Sequence, residues 1–323
     1  MTQAQPSPEM IAVMQRVREI GERLGPPPAD IAALGAYMKR AGAWWNEGGP
    51  ANVSEADIVV ETGAGPLEGR LYRPDGATDR PLWVYLHGGG FRFGGVESNA
   101  RQLREIAGLW GGAILSLNYP HLPQAPFPRA VDQVADAYHR LVGLGQELGF
   151  DGDRIAWGGN SAGASVSAGA AVVAGSGGAD FLRAGVLISP VVNGASDTES
   201  MRMFGDGPWF PTRQATVETW RDYMADWPDA QDPRADLLQA DPRFLTPLFV
   251  ASAEIDVFAS GASQLAESLG AACVPVVHRS YLGATHLFFN YSRMLPAAQR
   301  CVADIAEFLS GALPAGRVHQ AGV

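Results

Sequence analysis

The apolar positions near the N-terminus change from a helical to a strand period. Over residues 9–24 they recur every three or four residues, which predicts an amphipathic helix that the prolines at 26–28 end. A second helical pattern covers residues 31–45. Two short runs, 57–61 and 67–72, follow with glycines between them, which predicts a β-hairpin. Two helices are therefore expected before the first pair of strands.

From residue 82 onward, short apolar runs alternate with longer helical patterns. The predicted strands are 82–86, 113–117, 155–157, 184–189, 247–253 and 274–281. The predicted helices are 99–110, 130–148, a segment of small residues ending at 174, 262–269 and 295–309. This alternation predicts an α/β fold with a mostly parallel central sheet and helices on both faces. Functional residues are expected at the carboxyl ends of the strands.

One stretch, residues 193–241, interrupts the alternation. It is rich in Trp, Asp and Pro and contains one predicted helix at 213–223. Such an insertion, together with the two N-terminal helices, is suited to form a lid that excludes water from a cleft. We expect a helical cap at 1–52 and 193–241, a catalytic core at 53–192 and 242–313, and a flexible tail at 314–323.

Composition and charge narrow the classes of partner. The chain has 323 residues, 46% hydrophobic and 18% charged, which suits one large soluble domain with or without a lid. Its formal net charge of -10 disfavours nucleic acid and anionic membranes as partners. The first residues do not resemble a signal peptide, and no window approaches the ~18 unbroken apolar residues of a spanning helix. We therefore expect a small, neutral or apolar partner.

The number and positions of the two cysteines indicate the cellular compartment and whether a metal is bound. Cys273 falls on a predicted strand and Cys301 on a predicted helix. Two scattered cysteines are too few for a metal cluster or a disulfide scaffold. A cytoplasmic location without a metal or cofactor is the simplest expectation.

The candidate chemistry begins at a corner between a strand and a helix. Residues 159–163 are Gly-Asn-Ser-Ala-Gly and fit G-x-S-x-G, in which a serine on a sharp turn points its hydroxyl into a cleft. The glycines are needed where neighbouring backbone leaves no room for a Cβ atom. The turn also places the amide of Ala162 beside Ser161, where it can stabilise an oxyanion. A surface loop has the same small residues, so the interpretation depends on partners elsewhere in the chain.

A serine nucleophile needs a base, and that base needs an orienting carboxylate. The strand ending at residue 253 leads into Glu254 and Asp256, and the last predicted strand leads into His286. The order Ser161, Asp256, His286 is that of an α/β-hydrolase triad. Glu254 is the competing acid. We prefer Asp256 because it lies further into the loop.

A second glycine-rich segment follows the strand at 82–86. It consists of His87, Gly88, Gly89 and Gly90, whose bare backbone amides can approach a ligand and complete an oxyanion hole with Ala162. The alternatives are a flexible turn and a phosphate-binding loop, but neither G-x-x-x-x-G-K-[ST] nor a properly spaced G-x-G-x-x-G occurs. His87 is better suited to brace this loop than to take the serine's proton.

Four motifs together resemble the bacterial hormone-sensitive-lipase family of α/β-hydrolase carboxylesterases. They are HGGGFRFGG at 87–95, GGNSAG at 158–163, AEID at 253–256, and GATH at 283–286 followed by Leu-Phe. The resemblance extends over residues 58–309 and includes the position of the cap. It implies an α/β-hydrolase fold with Ser161 as nucleophile, Asp256 as acid, His286 as base, and Gly88, Gly89 and Ala162 as oxyanion donors.

The sequence also departs from the family pattern. Asn160 stands where the family commonly has Asp before the serine, which removes a charge near the site but no triad member. Pro120, Leu122 and Gln124 replace the usual Arg, Ala and Glu of a Tyr-Arg-Leu-Ala-Pro-Glu stretch. These differences mark a divergent branch, whose substrate should not be copied from better-known members.

These observations predict a serine carboxylesterase. Aromatic residues are frequent in the cap candidates, and the substrate-binding residues we expect are Phe91, Trp209, Phe210 and Leu287. An aromatic wall without nearby basic residues favours a small, uncharged or aromatic ester.

Other activities on the same fold remain open. An amidase, a lactonase or an acyltransferase would use the same triad. A non-catalytic ligand-binding protein is a further alternative, but such relatives lose the triad histidine. The resemblance alone allows a homodimer through an edge strand or the last helix.

Overall fold

The fold is organised around a central β-sheet. The computed structural model describes residues 4–76, 79–225, 227–245 and 247–315. The strands of this described part are β1 (Val53–Thr62), β2 (Gly65–Pro74), β3 (Arg80–Leu86), β4 (Ala113–Leu117), β5 (Phe150–Asn160), β6 (Leu182–Ile188), β7 (Leu248–Ile255) and β8 (Val276–Thr285). They lie in the order β1-β2-β4-β3-β5-β6-β7-β8.

The sheet is mostly parallel. The predicted hairpin is present as β1 and β2, and β2 also pairs antiparallel with β4. The pairings from β4 through β3, β5, β6, β7 and β8 are all parallel. The carboxyl ends of β5, β7 and β8 therefore lie at the same edge of the sheet, which is where ligands bind in such folds. The predicted α/β class is confirmed.

Four of the nine helices of the described residues begin at a short polar side chain that caps them. They are α1 (Pro8–Leu24), α2 (Ile31–Asn46), α3 (Ala100–Trp110), α4 (Arg129–Leu148), α5 (Ala162–Ser176), α6 (Glu199–Phe204), α7 (Arg213–Met224), α8 (Ala259–Ala271) and α9 (Pro296–Ala312). The side chains of Ser7 and Asp30 accept hydrogen bonds from amides three residues ahead, at 3.1 and 2.8 Å. Such caps satisfy amides that the first turn of a helix leaves unpaired.

Both faces of the sheet are covered by apolar side chains. In β3, Leu82 and Val84 belong to the core cluster that includes α4 and α5, whereas Trp83 and Tyr85 belong to the cluster that includes α3 and α9. Successive strand residues point to opposite faces, so a strand buried on both sides must be apolar throughout. This requirement explains the unbroken apolar run at residues 82–86 of β3.

The two N-terminal helices and helix α7 of the insertion join different core clusters. Met10 and Val13 of α1 and Trp45 of α2 join the cluster that includes α3 and α9. Tyr223 and Met224 of α7 join the opposite cluster. The start of α1 is also tied to the segment after β8, because the amide of Ser7 donates to the Gly283 carbonyl at 3.0 Å. The division into cap and core stays a prediction.

Three details differ from the sequence expectations or lie beyond them. Cys273 is in the turn after α8, with a φ of 58°, because β8 begins only at Val276. The short helix α6 has no sequence prediction, although Thr198 caps it at 3.2 Å. Residues 316–323 of the predicted flexible tail lie outside the described residues.

Candidate active site

Ser161 occupies the corner between β5 and α5. Its backbone has φ 54° and ψ -122°, a strained conformation for a residue with a side chain. A Cβ added to Gly159 would overlap the carbonyl oxygen of Leu86, and one added to Gly163 would overlap the same oxygen. The amide of Ser161 donates to the Ile188 carbonyl at 2.8 Å, which anchors the corner to β6. The close backbone packing thus requires the two glycines that the sequence motif contains.

The structure brings Ser161, His286 and Asp256 into one chain of hydrogen bonds. The Oγ atom of Ser161 is 2.9 Å from Nε2 of His286, and Nδ1 of His286 is 2.7 Å from Oδ2 of Asp256. The carboxylate accepts from Nδ1–H, so Nε2 is left with a lone pair facing the serine hydroxyl. Only 8% of Ser161 and 2% each of Asp256 and His286 are exposed. The geometry allows the imidazole to remove the proton from the hydroxyl.

The two candidate acids at the end of β7 face different partners. Oδ1 of Asp256 accepts from the amide of Phe258 at 3.0 Å, which leaves Oδ2 directed at His286. Oε2 of Glu254 accepts from the amide of Gly283 at 2.7 Å. The side chains of Glu254 and Asp256 therefore point to different partners. Glu254 fixes the loop at Gly283, and Asp256 contacts the imidazole.

The loop after β3 presents free amides beside Ser161. A Cβ built on Gly88 would lie 3.4 Å from the Cβ atom of Ser161, so the glycine loop passes directly alongside the serine. Gly89 has a φ of 138°, and a side chain there would collide with the carbonyl oxygen of Phe93. Among the described residues, none accepts a hydrogen bond from the amides of Gly88, Gly89 or Ala162. These donors are free to bind a developing oxyanion.

His87 lies beneath this loop and does not contact Ser161. Its Nδ1 is 2.9 Å from the Gly88 carbonyl, to which it donates, and its ring stacks on Tyr119 at 4.8 Å. Nε2 is buried and has no hydrogen-bond partner within the described residues. Burial, with a smaller contribution from His121, lowers the pKa of His87 from 6.5 to about 4. The neutral ring therefore braces the loop, in the role that the sequence suggests.

The four residues expected in the substrate pocket are placed differently from one another. Phe91 is 4% exposed and stacks on Tyr223 at 3.8 Å, so most of its ring serves packing. Phe210 is 59% exposed, with its ring centroid 6.2 Å from that of His286. Trp209 and Leu287 are half-buried against neighbouring apolar clusters. Phe210 is thus the member of this set whose ring is shown to approach the catalytic imidazole.

A surface groove of about 500 Å³ adjoins Trp209. Ile11 and Met14 of α1 line it together with Arg18 and two glutamates. Arg18 places one basic side chain beside Trp209, but no triad residue lines this groove, so the expected aromatic substrate wall stays a prediction. The sequence could not show this, because α1 and the loop containing Trp209 are far apart in the chain.

Three residues near the site have no role in the sequence expectations. Phe258 lies 5.3 Å from His286 by ring centroids. Ser189 donates its hydroxyl to the carbonyl of His286 at 3.3 Å. Asn290, in a short 3-10 helix after His286, is 3.3 Å from Asn160. Their positions in the chain are the signal that could have found them. Phe258 and Asn290 follow Asp256 and His286 closely, and Ser189 comes directly after β6.

Two classes of feature are absent from the described residues. No group of three or more His, Cys, Asp or Glu side chains in this part of the chain could hold a metal ion. None of its helices is both long and apolar enough to cross a lipid bilayer.

The fold and the site define the class of the protein. A serine, a histidine and an aspartate joined by hydrogen bonds at the carboxyl ends of parallel strands, in that chain order, are typical of α/β-hydrolase serine hydrolases. A family with the alpha/beta hydrolase fold matches residues 83–290, which is more than half of the chain. The protein therefore belongs to this family.

Solved structures give the same result. The chain is similar to a hyperthermophilic esterase from the archaeon Pyrobaculum calidifontis, with 28% identity, a TM-score of 0.86, and coverage of 95% of this chain and 98% of that chain. A thermophilic and thermostable carboxylesterase from a metagenomic library has 27% identity and a TM-score of 0.83, with 88% and 99% covered. An esterase from Pseudomonas putida, 24% identical with a TM-score of 0.86 and 97% and 98% covered, shows the fold alone. The predicted hormone-sensitive-lipase-like family and the class of serine carboxylic ester hydrolases are confirmed.

Proposed function

We propose that the protein hydrolyses small, uncharged or aromatic carboxylic esters, with Ser161 as the nucleophile. The observation that carries this proposal is the unbroken chain of hydrogen bonds from Ser161 through His286 to Asp256, at 2.9 and 2.7 Å. The free amides of the glycine loop support it, because acyl transfer needs donors where the oxyanion forms. A non-catalytic binding protein has no need of this arrangement.

In the first half-reaction the serine is acylated. Nε2 of His286 takes the hydroxyl proton as Oγ of Ser161 attacks the ester carbonyl carbon. The carbonyl oxygen becomes an oxyanion, which the amides of Gly88, Gly89 and Ala162 bind. Collapse of this intermediate breaks the bond to the alcohol oxygen, and the alcohol leaves with the proton from His286.

In the second half-reaction water removes the acyl group. His286 takes a proton from the water as its oxygen attacks the acyl carbon, and the proton returns to Ser161 when the carboxylic acid leaves. Asp256 accepts from Nδ1–H, which holds this tautomer and stabilises the imidazolium. The burial of this pair excludes water that would weaken the interaction.

The surroundings of His286 support an uncharged or aromatic substrate. The rings of Phe258 and Phe210 are tilted against the imidazole, at 5.3 and 6.2 Å by centroids. Such rings favour apolar or aromatic groups by burial and edge-to-face contact. Residues 1–52 and 193–241 supply α1 and the loop of Phe210, and we assign them the role of a cap.

The assignment is tested with p-nitrophenyl acetate turnover and a fluorophosphonate label, which reacts with activated serines. Ser161→Ala is expected to lower kcat by several orders of magnitude, roughly 10⁴-fold or more, and to abolish labelling. Ser176→Ala is the matched control, because Ser176 is exposed at the far end of the same helix and donates to the Val173 carbonyl at 2.7 Å. Equal turnover in wild type and Ser161→Ala, or labelling at another serine, refutes the proposal.

A substrate series tests the specificity. Short and aromatic p-nitrophenyl esters are expected to have higher kcat/KM than esters with long acyl chains. Amide and lactone substrates assayed in parallel separate an esterase from an amidase or a lactonase. A preference for long acyl chains contradicts a confined pocket, and faster amide turnover contradicts the choice of esters.

The oligomeric state and the location stay predictions. A homodimer is proposed from the family resemblance, and light scattering during size-exclusion chromatography measures its mass. A mass of one chain at assay concentration contradicts it. A cytoplasmic location is tested by fractionation of the source cells.

A further inference from the structure

Asn160, the residue before the nucleophile, contacts a residue of the segment that carries His286. It ends β5 and is 2% exposed. Its Nδ2 atom donates to Oδ1 of Asn290 at 3.3 Å. This contact joins two segments that are 130 residues apart in the chain. It is a second contact between the two segments that the bond from Ser161 to His286 joins, since Asn160 precedes the serine and Asn290 follows the histidine by four residues.

Asn290 is held from several sides. It lies in the 3-10 helix Phe288–Tyr291, which starts two residues after His286. Its Oδ1 also accepts from Nδ2 of Asn99 at 2.8 Å, and its carbonyl accepts from Nε2 of Gln102 at 2.8 Å. A side chain with two donors converging on one oxygen has little freedom to rotate. Asn290 therefore fixes the position of the helical turn that follows the predicted base.

The network behind Asn290 is buried and contains no charged side chain. Tyr85 donates its hydroxyl to Oδ1 of Asn99 at 2.7 Å, and Gln102 also donates to Oγ of Ser292 at 3.1 Å. All four of these side chains are buried. Hydrogen bonds in such surroundings are stronger than in water, and losing one partner is correspondingly costly. The network can hold a fixed geometry.

We propose that Asn160 and Asn290 are positioning residues that hold the nucleophile corner and the His286 segment at a fixed separation. The proposal rests on the proposed function, because it concerns the same serine and histidine. Neither residue reacts with substrate. Their amide link sets the distance from Oγ to Nε2 at which proton transfer occurs, and small changes in such a distance have large effects on rate.

A neutral side chain at position 160 follows from the same geometry. The atom of Asn290 that faces Asn160 is an acceptor already bonded to Asn99. A carboxylate at 160 would lose the amide donor and place two acceptors against each other in a buried site. A carboxylate at 290 adds the same charge but keeps the accepting oxygen, so the comparison isolates the lost donor. Asn160→Asp is therefore expected to break the link, whereas Asn290→Asp keeps an acceptor for both amides.

The test is a double-mutant cycle with active-site titration. Asn160→Ala and Asn290→Ala are each expected to lower kcat about 10- to 100-fold with KM changed less than about threefold, the range seen when supporting residues are removed. The double variant is expected to be no slower than the slower single variant, because both remove one link. Titration with a fluorophosphonate gives kcat per folded active site.

Two further variants keep the test independent of folding yield. Asn290→Asp is expected to retain kcat within about threefold of wild type at pH 8 to 9, and Asn160→Asp to lose at least about tenfold. The control is Tyr138→Phe, which removes a buried bond from Tyr138 to Oγ of Ser167 at 2.6 Å on another face of the sheet. It should lose stability without loss of kcat.

The outcomes separate this inference from the proposed function. If kcat of the two alanine variants matches that of Tyr138→Phe, if their losses add, or if the two Asp variants are equally active, the positioning role is wrong while the esterase assignment stands. If Ser161→Ala retains turnover, the proposed function is wrong whatever the Asn variants show.

Discussion

The buried histidine beneath the glycine loop predicts a specific loss of stability in mild acid. Nδ1–H of His87 donates to the Gly88 carbonyl, so a second proton would have to enter on Nε2, which has no partner within the described residues. Burial accordingly lowers the pKa of His87 from 6.5 to about 4 in the folded protein. Between these two values the unfolded chain binds the proton and the folded one does not. Stability is therefore present above pH 6.5 and is lost as the pH falls toward 4.

The size of this effect follows from the two pKa values. The full difference corresponds to roughly 3 kcal/mol, reached below pH 4, and roughly 1 kcal/mol of it is lost between pH 7.5 and pH 5.5. The substitution His87→Asn keeps an amide donor near the Gly88 carbonyl but cannot titrate. It is expected to be less stable than wild type at pH 7.5, because the smaller side chain leaves a cavity, and to lose less stability on going to pH 5.5.

The assay is reversible denaturant unfolding at pH 7.5 and 5.5, followed by tryptophan fluorescence. The free energy of unfolding at pH 5.5 is subtracted from that at pH 7.5 for each protein. The quantity of interest is this loss in wild type minus the loss in the variant. The contributions of other titrating groups cancel in this comparison. His121 is among them, since burial also lowers its pKa, and only its interaction with His87 does not cancel. His139→Asn on the exposed face of α4 is the control. If His87→Asn and wild type lose equal stability between the two pH values, His87 is not a neutral buried brace.

Three further predictions concern the corner, the pocket and the choice of acid. Gly163→Ala places a Cβ against backbone oxygens at the end of β3, so it should destabilise the fold by several kcal/mol, about 3 or more, and abolish turnover. Gly143→Ala on α4 meets nothing within 4 Å and should be neutral or stabilising by about 0.5–1 kcal/mol, and equal thermal midpoints for the two variants would contradict the close packing. Phe210→Ala should lower kcat/KM about tenfold more for phenyl esters than for ethyl esters, and a uniform loss would show that this ring does not contact the substrate. Asp256→Asn should lower kcat about 10⁴-fold whereas Glu254→Gln should lower it less than about tenfold, and the reverse order would exchange their roles.

The sequence alone determined the local chemistry of this protein. A strand buried on both faces is mostly apolar, so the apolar runs at 82–86, 113–115 and 184–188, within β3, β4 and β6, were visible without a structure. Backbone contacts at one corner leave no room for a Cβ atom at Gly159 or Gly163, so both positions must be glycine. A sequence motif shows such a requirement directly. The order of Ser161, Asp256 and His286 carries similar information, because each follows a strand and parallel strands end at one edge of the sheet.

Only the tertiary structure decided which side chains meet. Glu254 and Asp256 are chemically alike and two residues apart, and the path of the segment after β7 alone directs the latter to His286. Phe91 has the same apolar ring as Phe210, yet it stacks on Tyr223 while the other stays exposed. These outcomes depend on contacts between segments far apart in the chain, and periodicity and spacing describe only neighbours. The link from Asn160 to Asn290 is of the same kind, since a neutral residue before the serine acquires a physical reason only when its partner is in place.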